Sequence, residues 1–141
     1  MIIFLDTNVV QALMQESHGF QTTAVQLIHK ARVANHRLRL SPVAYAEAFG
    51  IPDFQQEIFD LFLNSIGIEI DWALPSVMWA MAGKAQIEHL ARRRKYGLQS
   101  DKRVLPDFLI GAHALTRGAA LMTFDENRYR TSYPKLELIT K

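Results

Sequence analysis

Asp6, Glu47, Asp107 and Asp125 each stand in or beside an apolar run, in IIFLD, VAYAEAF, LPDFLIGA and ALMTFD respectively. Carboxylates are seldom buried without a partner, and no lysine or arginine adjoins the first three in sequence. Carboxylates gathered in one place repel each other and raise one another's pKa, and a nearby cation reverses the effect. Mg²⁺ or Mn²⁺ is the fitting cation, because hard divalent ions prefer carboxylate and water oxygens. Such an ion can make a nucleophile from water near neutral pH and stabilise charge on a phosphate. The chemistry these residue types point to is metal-dependent attack on a phosphate.

That chemistry requires the acids to meet, so the elements that carry them matter. Residues 2–5 are a short, β-branched apolar run and predict a buried strand. Helical spacing follows from about Asn8 to Met14, and a second helix is expected behind a cap at Thr22 or Thr23. Leu38–Leu40 predicts a second strand. Ser41-Pro42 marks a helix start, with a capping hydroxyl and a first-turn proline, and that helix is expected to end at Gly50. Asp53 is the expected cap of the next helix, which runs to about Ser65. Ile68–Ile70 predicts a third strand, residues 74–96 a long helix, residues 98–104 a polar loop, and Pro106 to Gly118 another helix. Two last strands are expected at 119–124 and 136–139. Strands separated by helical hairpins imply crossover connections and a mostly parallel sheet of about five strands, a three-layer α/β/α arrangement. Ligands of such sheets bind outside the carboxyl ends of the strands.

Asp6 directly follows the first strand and Asp125 the fourth, so parallel strands place both on one rim. On their helices, Glu47 shares a face with Val43, Ala44 and Gly50, and Asp107 with Ile110, Gly111 and Ala114. Asp60 also has apolar sequence neighbours, but its helical neighbours are Gln56, Glu57 and Asn64, a solvated face. Asp71 ends the third strand, where turn or cap chemistry also accounts for it. Singly, Asp6 can be read as a helix cap and Asp107 as a favourable charge at a helix start. Glu47, an acid within a helix on an apolar stripe, needs a partner. One shared site explains all four more economically than four separate accidents.

The bulk properties bound the alternatives. The 141 residues suit one domain, 1–141, and 49% of them are hydrophobic, enough for a core. With no cysteine, disulfides and thiolate metal sites are excluded. Net charge is +2 and the pI about 9.0, which permits nucleic-acid binding without arguing for it. No apolar run approaches the roughly 18 residues of a membrane span, and the opening run lacks the basic start of a signal peptide. A cytoplasmic protein that does not enter the membrane is expected. No G-x-x-x-x-G-K-[ST] loop is present, which argues against an NTPase. His18, His29, His36, His89 and His113 show no metal-ligand spacing and read as structural or surface residues. The run Arg92–Lys95 closes a helix, where it complements the helix dipole on a solvated face or else contacts a phosphate backbone. Arg117, Arg128 and Arg130 lie nearer the acidic segments and are the preferred residues for a groove rim.

Four segments in order resemble the PIN-domain ribonucleases, most closely the VapC-type toxins of toxin–antitoxin pairs. LDTNVV resembles the first motif, SPVAYAEAFG the second, LPDFLIGAHAL the third, and LMTFDENRY followed by YPKLELI the fourth. The resemblance spans almost the whole chain and is poorest between Ile51 and Arg103. It implies Mg²⁺- or Mn²⁺-dependent hydrolysis of RNA phosphodiester bonds by Asp6, Glu47, Asp107 and Asp125. Asp6 and Asp107 would be inner ligands, with Asn8 and Thr123 as companions that aim the carboxylates. It further implies an antitoxin protein as partner and a homodimer; apolar residues around Phe54, Phe59 and Phe62 could serve such an interface, although a stripe at helical spacing is more commonly core. A phosphohydrolase with an aspartyl nucleophile fits less well, because Asn8 stands where such enzymes need a second Asp. The remaining rival is a PIN fold that binds RNA or protein without cutting.

Overall fold

The structure is a computed structural model that describes residues 1–97 and 104–141. Its strands are β1 (Ile2–Leu5), β2 (Arg37–Leu40), β3 (Ile68–Ile70), β4 (Ala120–Met122) and β5 (Leu138–Ile139). Its helices are α1 (Thr7–Met14), α2 (Gln21–Val33), α3 (Pro42–Glu47), α4 (Gln56–Ile66), α5 (Ser76–Lys95), α6 (Leu105–Thr116) and α7 (Glu126–Ser132), with a 3₁₀ turn at Ala48–Gly50. The strands form one sheet in the order β3-β2-β1-β4-β5, and every pairing is parallel. From β1 the chain winds outward through β2 to β3, then returns to the other side of β1 for β4 and β5. The direction of winding therefore reverses between β1 and β4, and that crevice is where an open parallel sheet accepts a ligand.

Side chains of β1 alternate between two helical layers. Ile3 faces Leu27 and Ala31 of α2, while Phe4 packs its ring 4.7 Å from His113 of α6. This is the expected three-layer arrangement. Phe4, Phe59 and Phe108 are wholly buried, and each such side chain contributes about 1.5–3 kcal/mol by leaving water. Gly67 closes α4 in the left-handed region at φ 82° and turns the chain into β3, a conformation that glycine adopts at little cost.

Several expected boundaries shift. Ser41 caps α3 as anticipated, its Oγ accepting from the Val43 N–H at 3.3 Å. That helix ends at Glu47, however, and tightens into the 3₁₀ turn that reaches Gly50. Thr22 and Thr23 lie inside α2, whose first residue follows Phe20 with no side-chain cap. Phe20 is held instead by stacking on Phe124, with ring centroids 4.9 Å apart. Asp53 adopts φ 58° in a turn and does not cap α4, which begins behind Gln55. The polar loop expected at 98–104 lies outside the described residues except for Val104, which is buried. The largest difference is α7, inserted where the sequence suggested two strands in direct succession. Parallel neighbours cannot be joined by a hairpin and need a crossover, usually helical, and α7 is that crossover.

Gly111 shows how closely α6 and this crossover meet. A Cβ built there would lie 2.6 Å from Cε2 of Tyr133 and 3.1 Å from Cδ1 of Tyr129. Tyr133 is 5% exposed and its hydroxyl donates to the Phe108 carbonyl at 2.7 Å, so its ring has little room to yield. Gly111→Ala is expected to destabilise the fold by about 1–3 kcal/mol, the usual cost of overpacking. Urea unfolding of the two proteins checks this, and an equal or higher midpoint for the variant would contradict it.

Candidate active site

Asp6 is the first residue beyond β1, and its N–H still donates to the Met122 carbonyl of β4 at 2.9 Å. It is also the N-cap of α1, with Oδ1 accepting from the Thr7 N–H at 2.8 Å. Its other oxygen, Oδ2, accepts from the Thr123 hydroxyl at 2.7 Å and the Tyr129 hydroxyl at 3.0 Å. The residue is only 2% exposed. Burial, with the negative Asp107 nearby, pushes the carboxyl up to about 7 despite these three hydrogen bonds. Cap and functional readings of Asp6 coexist in one side chain.

Asp107 lies in the first turn of α6, and the residues of its inward stripe, Ile110, Gly111 and Ala114, are buried. Burial raises its pKa, Arg128 pulls it down, and Glu47 and Asp125 push it up again, leaving it above the ordinary carboxylate value. Asp107 is thus the common neighbour through which Asp6, Glu47 and Asp125 feel one another. Glu47 reaches the group from the end of α3, where its Oε1 accepts from the Thr7 hydroxyl at 2.7 Å. Asp125 is the N-cap of α7, and its N–H donates to Thr123 Oγ1 at 3.0 Å. Its side chain is 47% exposed, against 22% for Asp107. The four acids come from four elements and are grouped around Asp107, beside the crevice where β1 and β4 end, but only Asp6 is deeply buried.

The hydroxyl of Thr123 ties the floor together. It donates to Asp6 and accepts from Asp125 N–H, with the Asn8 amide nitrogen 3.5 Å away. Asn8 Oδ1 accepts from the Phe124 N–H at 3.3 Å, which joins the start of α1 to the end of β4. Of the two companions expected from the sequence, Thr123 contacts Asp6 directly, while Asn8 reaches the acids only through the Thr123 hydroxyl. Thr7 and Tyr129 escaped the sequence reading although they contact Glu47 and Asp6 directly. The spacing of Tyr129 and Tyr133, four residues apart in a segment that must cross between parallel strands, was the signal available for α7.

Positive charge is also nearer than sequence adjacency suggested. Arg128 of α7 hydrogen-bonds Asp107 through Nη1, and its Nε lies 3.8 Å from Asp125 Oδ2. Among the described residues no three acids or histidines stand in a ready metal-binding arrangement, and a guanidinium bridges two of the four carboxylates. The donor set nevertheless suits a hard divalent ion. It consists of carboxylate oxygens at a strand rim, with Asp6 raised by burial and Asp107, and Asp107 raised by burial, Glu47 and Asp125, the condition a cation relieves.

Other charged residues fall outside this group. Asp60 is exposed and accepts from the Tyr45 hydroxyl at 2.8 Å. Asp71 is claimed by Arg117 Nε at 2.7 Å and His113 Nε2 at 3.2 Å, with Arg39 3.8 Å away. Burial alone would raise its pKa, but Arg117, the Ala73 N–H and His113 bring it down to about 2. Arg117 is therefore committed to Asp71, and Arg130 pairs with Glu126 at 2.9 Å. Of the three arginines expected at a groove rim, Arg128 alone touches the acids. His113 is buried, as a structural histidine should be.

No protein of curated function matches this sequence. Solved structures do. A chain of the VapBC2 complex of Rickettsia felis, bound to a DNA fragment from its promoter, superposes with a TM-score of 0.65 at 22% identity, covering 100% of this chain and 99% of that one. A chain of VapBC-1 from nontypeable Haemophilus influenzae gives 0.64 at 25% identity over 99% and 98%. A toxin–antitoxin complex from Klebsiella pneumoniae gives 0.61 at 19% over 98% and 96%. The family model described as PIN domain matches residues 3–132, a span that holds all four acids, and the chain belongs to the PIN-domain family.

Proposed function

We propose that this protein is a Mg²⁺- or Mn²⁺-dependent endoribonuclease and the toxin of a toxin–antitoxin pair. The observation that carries the reading is the convergence of Asp6, Glu47, Asp107 and Asp125 on the crevice between β1 and β4 in a chain of this family. Asp6 and Asp107 would hold the ion, and Glu47 and Asp125 would hold a second ion or orient the attacking water. When bound, the ion supplies Lewis acidity toward the phosphate and lowers the pKa of water. The protein's own residues hold the acids in place. Thr123 and Tyr129 direct hydroxyl protons at Asp6 Oδ2, which fixes the orientation of that carboxylate. Thr7 steers Glu47 in the same way. The start of α6 at Asp107 adds the positive end of a helix dipole, which favours a phosphate nearby.

Solved relatives that are toxin–antitoxin complexes support an antitoxin protein as partner, and a homodimer acting in the cytoplasm accords with that reading. Among the described residues no helix is long and apolar enough to cross a membrane. The test is incubation of the purified protein with single-stranded RNA in Mg²⁺ or Mn²⁺, beside the same reaction in excess chelator. Internal cleavage is expected with the ion and none with the chelator. Cleavage that persists in chelator would remove the metal from the mechanism.

One observation favours a second reading, a PIN fold that binds RNA without cutting it. Arg128 already neutralises Asp107, so the fold does not depend on an ion to satisfy that acid. RNA that binds but stays intact in every divalent metal tried would establish this alternative.

A further inference from the structure

The helix end carrying Arg92–Lys95 separates into two kinds of residue. Arg94 and Lys95 are exposed, and Lys95 Nζ stands 5.9 Å above the Tyr96 ring. Arg92 is half-buried and turns toward α7, where it lines a cavity of about 310 Å³ with His89, Asn127, Arg128, Thr131 and Ser132. Asp125, one of the four acids, forms part of the same wall. Arg128 is committed to Asp107 and Arg130 to Glu126, whereas Arg92 forms no ion pair among the described residues. The Thr131 hydroxyl donates to the Asn127 carbonyl at 3.0 Å and helps shape the floor. The Asn127 amide and Ser132 hydroxyl add hydrogen-bonding groups to the lining. An uncommitted guanidinium and neutral polar groups make a lining suited to a phosphate and its sugar, with Arg128, paired to Asp107, and the Asp125 carboxylate on the same wall. The volume is within the range of ordinary ligand sites, about 300–1,000 Å³.

We propose that this cavity between the C-terminal end of α5 and α7 is a phosphate subsite for the RNA strand, flanking the acids, with Arg92 as its anchor. The inference rests on the nuclease reading above and adds where the strand leaves the acidic crevice. RNA is favoured over an acidic protein segment because the cavity shares Asp125 with the acids, so a strand held at the acids passes its next phosphate along this wall. Arg92 acts by binding. It holds a phosphate away from the reacting one and touches no reacting atom.

The test uses the full chain carrying Asp6→Asn, so that a labelled single-stranded RNA of mixed sequence binds without being cut. Affinity is measured by fluorescence anisotropy over a range of salt, with and without Arg92→Ala, Arg92→Lys or Arg94→Ala, after thermal melting shows that each variant folds. Arg92→Ala is expected to weaken binding about five- to tenfold. It should also reduce the slope of log affinity against log salt by about 0.7, the loss of one single-strand phosphate contact. Arg92→Lys should keep the slope, and the exposed Arg94→Ala should change little. In the otherwise unaltered enzyme, Arg92→Ala should raise KM and leave kcat within about twofold, as loss of uniform binding does. Equal effects of Arg92→Ala and Arg94→Ala would reduce the subsite to general charge and overturn it. Unchanged RNA affinity in Arg92→Ala would also overturn it, and weakened binding of an acidic peptide in that variant would reassign the cavity to a protein partner. In either case RNA cleavage by the unaltered protein would leave the nuclease reading intact. Absence of both binding and cleavage would overturn the subsite and the nuclease reading together.

Discussion

Asp6→Asn is expected to slow metal-supported RNA cleavage about a thousandfold while leaving the fold in place. A bound ion supplies several kcal/mol of charge stabilisation, and each 1.36 kcal/mol of barrier is about a factor of ten in rate. Asp6 is the most buried of the four acids, and three donors hold it. The amide keeps the shape and one acceptor oxygen but removes the charge that would draw the ion. The cap bond from Thr7 is also at stake, and loss of an N-cap costs about 0.5–2 kcal/mol, less than a domain's usual stability. Single-turnover cleavage of a labelled RNA, beside circular dichroism of the variant, checks both halves. An Asp6→Asn protein that is folded and cleaves within tenfold of the parent would exclude Asp6 as an essential ligand. Arg128 frames the interpretation, since it already neutralises Asp107 without any ion. Asp6, by contrast, forms no ion pair among the described residues, so its charge is balanced by a proton or by a bound cation.

The metal-free protein should lose stability as pH rises from about 4 through 7. The Asp6 carboxyl has an ordinary value of 3.8 in the unfolded chain and is pushed up to about 7 in the folded one, first by burial and then by Asp107. Between those values the folded state binds the proton more tightly. Its contribution is therefore fully present in acid and is lost as pH rises through the folded value. The ceiling is about 4 kcal/mol, because each tenfold gain in proton affinity on folding is worth about 1.4 kcal/mol. Asp107, also raised, adds in the same direction. His113 opposes it. Burial holds His113 below its ordinary 6.5, so its contribution is present above that value and lost as pH falls. Asp71, brought down to about 2, loses its contribution only as pH falls below its ordinary 3.8. The difference between parent and Asp6→Asn isolates the Asp6 part. Urea unfolding in chelator, repeated across this range, should show the parent losing ground to the variant as pH rises. Parallel curves would mean that Asp6 ionises normally in the folded protein.

The acids themselves were legible because each breaks a local rule. Glu47 and Asp107 interrupt apolar stripes that helical spacing makes visible, and Asp6 follows a β-branched run short enough to be only a strand. The same spacing set Asp60 aside, and Asp60 is exposed. The helix of the second acidic motif proved shorter than expected; Gly50 of its predicted face is exposed, while Glu47 stays half-buried and accepts from Thr7. The fourth motif was legible as far as Asp125 and no further. The seven residues of α7 offer little apolar periodicity, with Tyr129 the buried position, so the only local signal for the helix was the four-residue spacing of Tyr129 and Tyr133.

The sequence by itself determined the alternation of strands and helices and the parallel sheet that follows from it, and it singled out the four acids and the companions Asn8 and Thr123 as the site to propose. Those properties depend on spacing between near neighbours, which local backbone geometry converts directly into faces and rims. Only the tertiary structure decided which partner each charged or polar group takes. Arg128 goes to Asp107, Tyr129 to Asp6, Thr7 to Glu47, Arg117 to Asp71, and Arg92 to the cavity beside Asp125. Three of these five link residues at least 40 positions apart in sequence. The reason is physical. A long side chain can satisfy its charge in any direction its helix allows. The crossover that packs α7 beneath α6, and against α5, decides which carboxylate or cavity lies within its reach.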